Sequence, residues 1–119
     1  MIVVIDTNVL ISALLKDALT RRCLTQAPFI AAYPEPAVRE LRKYTPLILE
    51  KTMLSVKDFT LLGNLLFRNI AVVPEPRLFP TIGKAREALG SIDPDDVVFL
   101  AAALALGAPI WTSDRHLSP

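Results

Sequence analysis

The chain opens on four consecutive apolar, mostly β-branched residues, Ile2, Val3, Val4 and Ile5, that run straight into Asp6, Thr7 and Asn8. An apolar run with no polar alternation predicts a strand buried on both faces, the habit of a parallel sheet covered by helices. Val9, Leu10, Ala13 and Leu14 then recur at the spacing of one helix face, which predicts one or two helices over Val9–Gln26, ending near Pro28. Phe29–Tyr33 is a second short apolar strand. Pro34-Glu35-Pro36 opens a helix through about Tyr44, with Pro36 suited to the first turn, Val38 and Leu41 facing the core and Pro46 ending it. Ser55 caps a helix over Val56–Asn69, with Asp58 in the capping-box position and Leu61, Leu62, Leu65 and Leu66 on the buried side. Ile70–Val73 is a third strand, Glu75–Pro80 a linker, and Ile82–Leu89 a short helix stopped at Gly90. Asp93-Pro94-Asp95-Asp96 introduces an apolar helix over Val97–Leu106, ended by Gly107, and Pro109–Thr112 is a fourth strand.

Strands alternating with helices give an α/β layered fold with a mostly parallel sheet. Asp6 and Asp114 each lie just past an apolar strand, so a parallel sheet puts them on one edge. Helix starts share that edge, which adds the turn at Asp93–Asp96; Glu40 lies inside its helix, and only geometry can bring it in. This carboxyl edge is where open α/β sheets bind ligands. Carboxylates that converge without a lysine or histidine repel one another, and a hard divalent cation with oxygen ligands resolves the conflict. Such a cation can activate water and assist displacement at phosphorus. Three separate helix caps with a solvated Glu40 would leave the same pattern, and the residues alone leave both readings open.

Composition narrows the classes. At 119 residues the chain is expected to be one domain, and 52% hydrophobic with 21% charged residues excludes disorder. The longest nearly apolar stretch, Val97–Trp111, falls short of the roughly 20 residues that span a bilayer. Asp6 interrupts the first apolar run too early for a secretory signal, and one cysteine permits no internal disulfide; both suit a cytoplasmic protein. Cys23 and His116 cannot supply the about four ligands of a zinc site, and Cys23 reads as a small core residue rather than a nucleophile paired with His116. A net charge of +1 makes no bulk case for nucleic acid. Any such case rests on local clusters such as Arg39, Arg42 and Lys43, although a basic run on a helix is more often a solvated face. A mean hydropathy of +0.43 points to more apolar surface than a lone small domain hides.

Four segments, IDTNVLISALL, PEPAVRELRKY, DPDDVVFLAAALALGAPIW and TSDRHL, are together similar to the PIN domain, a family of metal-dependent ribonucleases that includes VapC-like toxins. The resemblance touches most of the chain, leaving Thr45–Ile92 without a motif. It implies a Rossmann-like three-layer α/β/α sandwich with a mostly parallel sheet of about four strands. It further implies a divalent-metal-dependent endoribonuclease acting on single-stranded or looped RNA, a homodimer, and a toxin role with a cognate antitoxin. The family's acids fall on Asp6, Glu40, Asp96 and Asp114. Asp6, Asp96 and Asp114 are then the ligands of Mg²⁺ or Mn²⁺, with Glu40 positioning a metal-bound water and Asn8, Thr112 and Ser113 supporting the acids. Arg39, Arg42, Lys43 and Arg115 become the phosphate contacts.

Within the acidic turn, Asp93 precedes a proline and serves best as the cap. Asp95 and Asp96 point about 100° apart, and helix periodicity does not separate them; the family register favours Asp96. PIN domains usually continue past the last acid into a further helix and edge strand, which this sequence, ending at Pro119, is expected to lack. Two alternatives stand beside this reading. One is a non-catalytic PIN-like protein that binds RNA or an antitoxin. The other is a haloacid-dehalogenase-like phosphatase, opposed by Asn8 where those enzymes carry a second Asp.

Overall fold

Ile2–Ile5 forms β1, with Val3, Val4 and Ile5 buried, as an unbroken apolar run requires of a central strand. The computed structural model describes residues 1–15, 22, 29–89 and 94–111. In chain order, β1 is followed by α1 (Thr7–Leu15), β2 (Ile30–Pro34), α2 (Glu35–Lys43), α3 (Thr45–Thr52) and α4 (Val56–Phe67). Next come β3 (Ile70–Val73), a 3₁₀ turn (Glu75–Leu78), α5 (Phe79–Leu89), α6 (Pro94–Leu106) and β4 (Ile110–Trp111). The four strands form one parallel sheet in the order β3-β2-β1-β4, flanked by helices. This is the expected α/β architecture.

The register is set by small side chains. Val3 and Val4 of β1 lie beside Ala31 and Ala32 of β2, and α6 lays Ala101, Ala102 and Ala103 onto the same region. All five alanines are buried, and their small side chains let helix and sheet approach closely. Around them Leu10, Leu14, Tyr33, Leu66 and Phe99 complete one continuous core. Among the described residues, no helix is long and apolar enough to cross a membrane.

Local signals act as their chemistry dictates. Ser55 Oγ accepts the Asp58 N–H at 3.0 Å and starts α4. Gly107, at φ +61°, ends α6: its N–H donates to the Leu104 carbonyl, and the Ala108 N–H reaches back to Ala103. That pair of bonds is a Schellman cap, which requires a left-handed residue.

Three expectations are corrected. Pro46 does not simply end a helix: after Tyr44 it stands in the first turn of α3, where its missing N–H costs nothing. The proposed linker after Glu75 is instead a 3₁₀ turn leading into α5, which begins at Phe79 rather than Ile82. The four leucines of α4 do not share one buried side: Leu66 is fully buried and Leu62 packs on the core, but Leu61 and Leu65 face outward. Helix α4 packs against β3, an edge strand, so only one stripe of it is covered. Apart from Arg22, which is helical, the helical expectation beyond Leu15 lies outside the described residues, as do Cys23, the stop at Gly90, Asp93, and Thr112 through Arg115 and His116.

Candidate active site

The sheet order reverses beside β1. Strands β2 and β3 extend it in one direction, and β4 returns to pair on the other side. The crevice beyond the carboxyl ends of the strands at such a reversal is the binding position of open α/β sheets. Asp6 is the first residue past β1 at this point. Its N–H donates to the Trp111 carbonyl at 3.2 Å, so the ends of β1 and β4 lie side by side. Asp114 follows Trp111 by three residues in the sequence and lies outside the described residues.

Asp6 is 4% exposed, and its Oδ1 accepts the Val9 N–H at 2.9 Å. It therefore caps α1, as its place between strand and helix dictates, and the cap fixes the direction of the carboxylate. The positive end of α1 lowers the cost of holding a negative charge there. Asp96, in the first turn of α6, is 8% exposed. Among the described residues, Asp6 and Asp96 are the buried charged side chains, and both line one cleft of about 380 Å³. Burial of charge is costly and calls for a specific partner.

Glu40 and Arg39 line the same cleft from α2, together with Asn8 of α1 and Tyr44 just past the end of α2. The geometry thus brings together three of the four expected acids. Glu40 sits at the outer lip, half exposed, with Oε1 accepting from Lys43 Nζ at 3.1 Å. Arg39 pairs with Glu75 at 3.1 Å, and the Glu75 N–H donates to Glu35 Oε1 at 2.9 Å. These bonds tie α2 to the turn after β3. Arg42 lies on the other side of α2, in a second groove lined by Phe59 and Phe67. The basic run is therefore partly occupied by ion pairs, as a solvated helix face commonly is.

Among the described residues, no three His, Cys, Asp or Glu side chains gather closely enough to hold a metal ion. The donor chemistry nevertheless fits a hard cation. Mg²⁺ is usually held by one or two carboxylates together with substrate phosphates and water, and this cleft offers two buried carboxylates without sulfur or imidazole.

Behind the acids stands Tyr33, fully buried near the end of β2. Its hydroxyl lies 2.7 Å from Thr7 Oγ1 and donates to the Ala37 carbonyl at 3.3 Å. Burial raises its pKa from 10.0 to about 12, opposed by the Thr7 hydrogen bond and reinforced by the Asp6 carboxylate. Sequence reasoning singled out neither Tyr33 nor Thr7. The available signal was a lone phenol in a strand of small residues, which needs a hydrogen-bond partner once buried.

A family model described as the PIN domain matches residues 4–119. A comparison with curated proteins finds no significant match. The match spans nearly the whole sequence, and the parallel sheet has Asp6 at its carboxyl edge; the chain belongs to the PIN domain family, whose fold is of the nuclease type.

Proposed function

We propose that the protein is a divalent-metal-dependent endoribonuclease that hydrolyses phosphodiester bonds of single-stranded or looped RNA. The observation that carries the reading is the burial of Asp6 and Asp96 on one cleft at the reversal of the sheet. In this reading Asp6, Asp96 and Asp114 hold Mg²⁺ or Mn²⁺. The bound cation supplies charge stabilisation at the phosphoryl oxygens and a more acidic water. Asp6 is pre-aimed by its bond to the Val9 N–H, so little reorganisation is needed when substrate arrives. Glu40, at the lip, receives the proton of the water that attacks phosphorus as the bond to the leaving oxygen breaks, and Lys43 steadies its Oε1. Asn8, Thr112 and Ser113 support the acids. Arg39, Arg42, Lys43 and Arg115 meet phosphates of the strand, Arg39 by exchanging its carboxylate partner and Lys43 through the donors its bond to Glu40 leaves over.

The test is cleavage of a labelled single-stranded RNA with Mg²⁺ or Mn²⁺. Loss of cleavage in EDTA and its return with excess Mn²⁺ is the expected result. Cleavage untouched by EDTA would overturn the metal reading. RNA binding to the EDTA-treated protein should weaken with salt, less steeply in the Arg42→Ala variant by roughly 0.7 of a log-slope unit per lost single-strand phosphate contact.

The same reading makes the protein a cytoplasmic homodimer, with a small antitoxin as partner in a VapC-like toxin pair. It is supported by large apolar side chains on the outside of α4: Val56 is 69%, Leu61 58% and Leu65 47% exposed. Light scattering at high micromolar concentration should give the mass of a dimer, and Leu61→Ser with Leu65→Ser should give a monomer. A wild-type monomer at that concentration would sink this part of the reading.

A further inference from the structure

Tyr33 touches every element that brings a described acid to the cleft. Through its hydroxyl it meets Thr7, the residue next to Asp6, and the carbonyl of Ala37, one turn before Glu40 on α2. Through its ring it meets Phe99, one turn after Asp96 on α6, with centroids 5.8 Å apart. The ring also packs in a T-shaped contact with Phe67, with centroids 6.2 Å apart. The phenol carries one proton and gives it to Ala37, so the Thr7 hydroxyl donates in the shorter bond. A phenylalanine would fill the same core volume; the hydroxyl adds only the two bonds that join α1 to α2.

We propose that Tyr33 is a positioning residue of the active site, whose hydroxyl fixes α1 and α2 relative to α6 so that Asp6, Glu40 and Asp96 work on one phosphate. The inference rests on the reading under Proposed function. Small displacements at a reacting centre are enough to matter, since about 1 Å can cost roughly a hundredfold in rate.

The experiment compares wild type, Tyr33→Phe, Thr7→Val and the double variant. Each is measured for kcat and KM on RNA with Mn²⁺, for melting temperature, and for hydrogen exchange of the Val9 amide. That amide donates to Asp6 Oδ1, so its exchange reports the aim of Asp6 without any reaction. Tyr33→Phe should lower kcat about tenfold, leave KM within about twofold, and speed Val9 exchange about tenfold. Thr7→Val should act in the same direction, and the double variant should be no worse than Tyr33→Phe alone, because the bond that Thr7 makes is one of the two that Tyr33→Phe removes. Thr81→Val is the control for a purely structural hydroxyl. Thr81 Oγ1 donates to the Ala101 carbonyl at 2.7 Å and joins α5 to α6 away from the cleft. It should lower the melting temperature and leave kcat and Val9 exchange unchanged. The proposal is overturned if Tyr33→Phe resembles Thr81→Val, or if Tyr33→Phe and Thr7→Val add independently. Should Tyr33→Phe fail to fold, Thr7→Val carries the same test. A wild type that cleaves no RNA would defeat the proposed function, while Val9 exchange would still decide whether Tyr33 aims Asp6.

Discussion

Asp6→Asn and Asp96→Asn should each reduce Mn²⁺-dependent RNA cleavage by more than about a hundredfold, beyond what loss of an outer partner of a metal ligand typically costs. Both proteins should stay folded. At position 6 the asparagine Oδ1 can still accept the Val9 N–H, and Asn caps a helix about as well as Asp. At position 96 the substitution keeps the shape and nearly the volume of the buried side chain, so the packing around it is retained. The two readouts should therefore separate. Without metal, both variants should still melt cooperatively, within a few degrees of wild type. With excess Mn²⁺, wild type should gain stability by mass action, and the variants should gain little. Asp114→Asn should lose cleavage in the same way, and Asp93→Asn should retain it, since a cap needs no charge. Cleavage that survives in Asp96→Asn but fails in Asp93→Asn or Asp95→Asn would assign the acidic turn to a different residue. Variants that lose cleavage only because they unfold would remove the argument for a catalytic role.

What could be read beforehand follows from how local each signal is. The apolar run at Ile2–Ile5 and the acid behind it are contiguous, so the buried strand, the cap and the position of Asp6 were all legible. Pro94 and the acids around it announced the start of α6 just as directly. Helix α3 was not legible, because Pro46 reads equally well as an end or as a first turn, and only the path of the chain after Tyr44 decides. The leucines of α4 show the same limit. Periodicity tells which side chains share a face, whereas the neighbour that covers a face is set by topology, and β3 at the sheet edge leaves Leu61 and Leu65 outside. Glu40 shows it again: its helix was readable, but its arrival at the cleft of Asp6 and Asp96 depended on how α2 leaves β2. The partner of Tyr33 lies across the sheet on α1, twenty-six residues away, where no local pattern could point to it.

The Tyr33 phenol also makes stability depend on alkaline pH. Its folded pKa of about 12 lies above the unfolded value of 10.0, because burial disfavours the phenolate and the nearby Asp6 carboxylate adds to the cost. A raised folded pKa means that the unfolded chain releases this proton first. The contribution is fully present below about pH 10 and is lost as pH rises through about pH 12. Over that window the shift is worth about 2 to 3 kcal/mol, at about 1.4 kcal/mol per pKa unit. Strong alkali acts on the rest of the chain as well, so wild type alone would not isolate the effect. Tyr33→Phe keeps the rest and deletes only the buried phenol. Urea unfolding of both proteins from pH 8 to pH 11.5 should show wild type losing about 2 kcal/mol more than the variant, nearly all of it above pH 10. Tyrosinate absorbance should accompany unfolding of wild type in this window, because folded Tyr33 stays protonated until the site opens. Parallel stability curves for the two proteins would mean that Tyr33 ionises as readily in the fold as outside it, and that its hydroxyl is not sealed behind the acids.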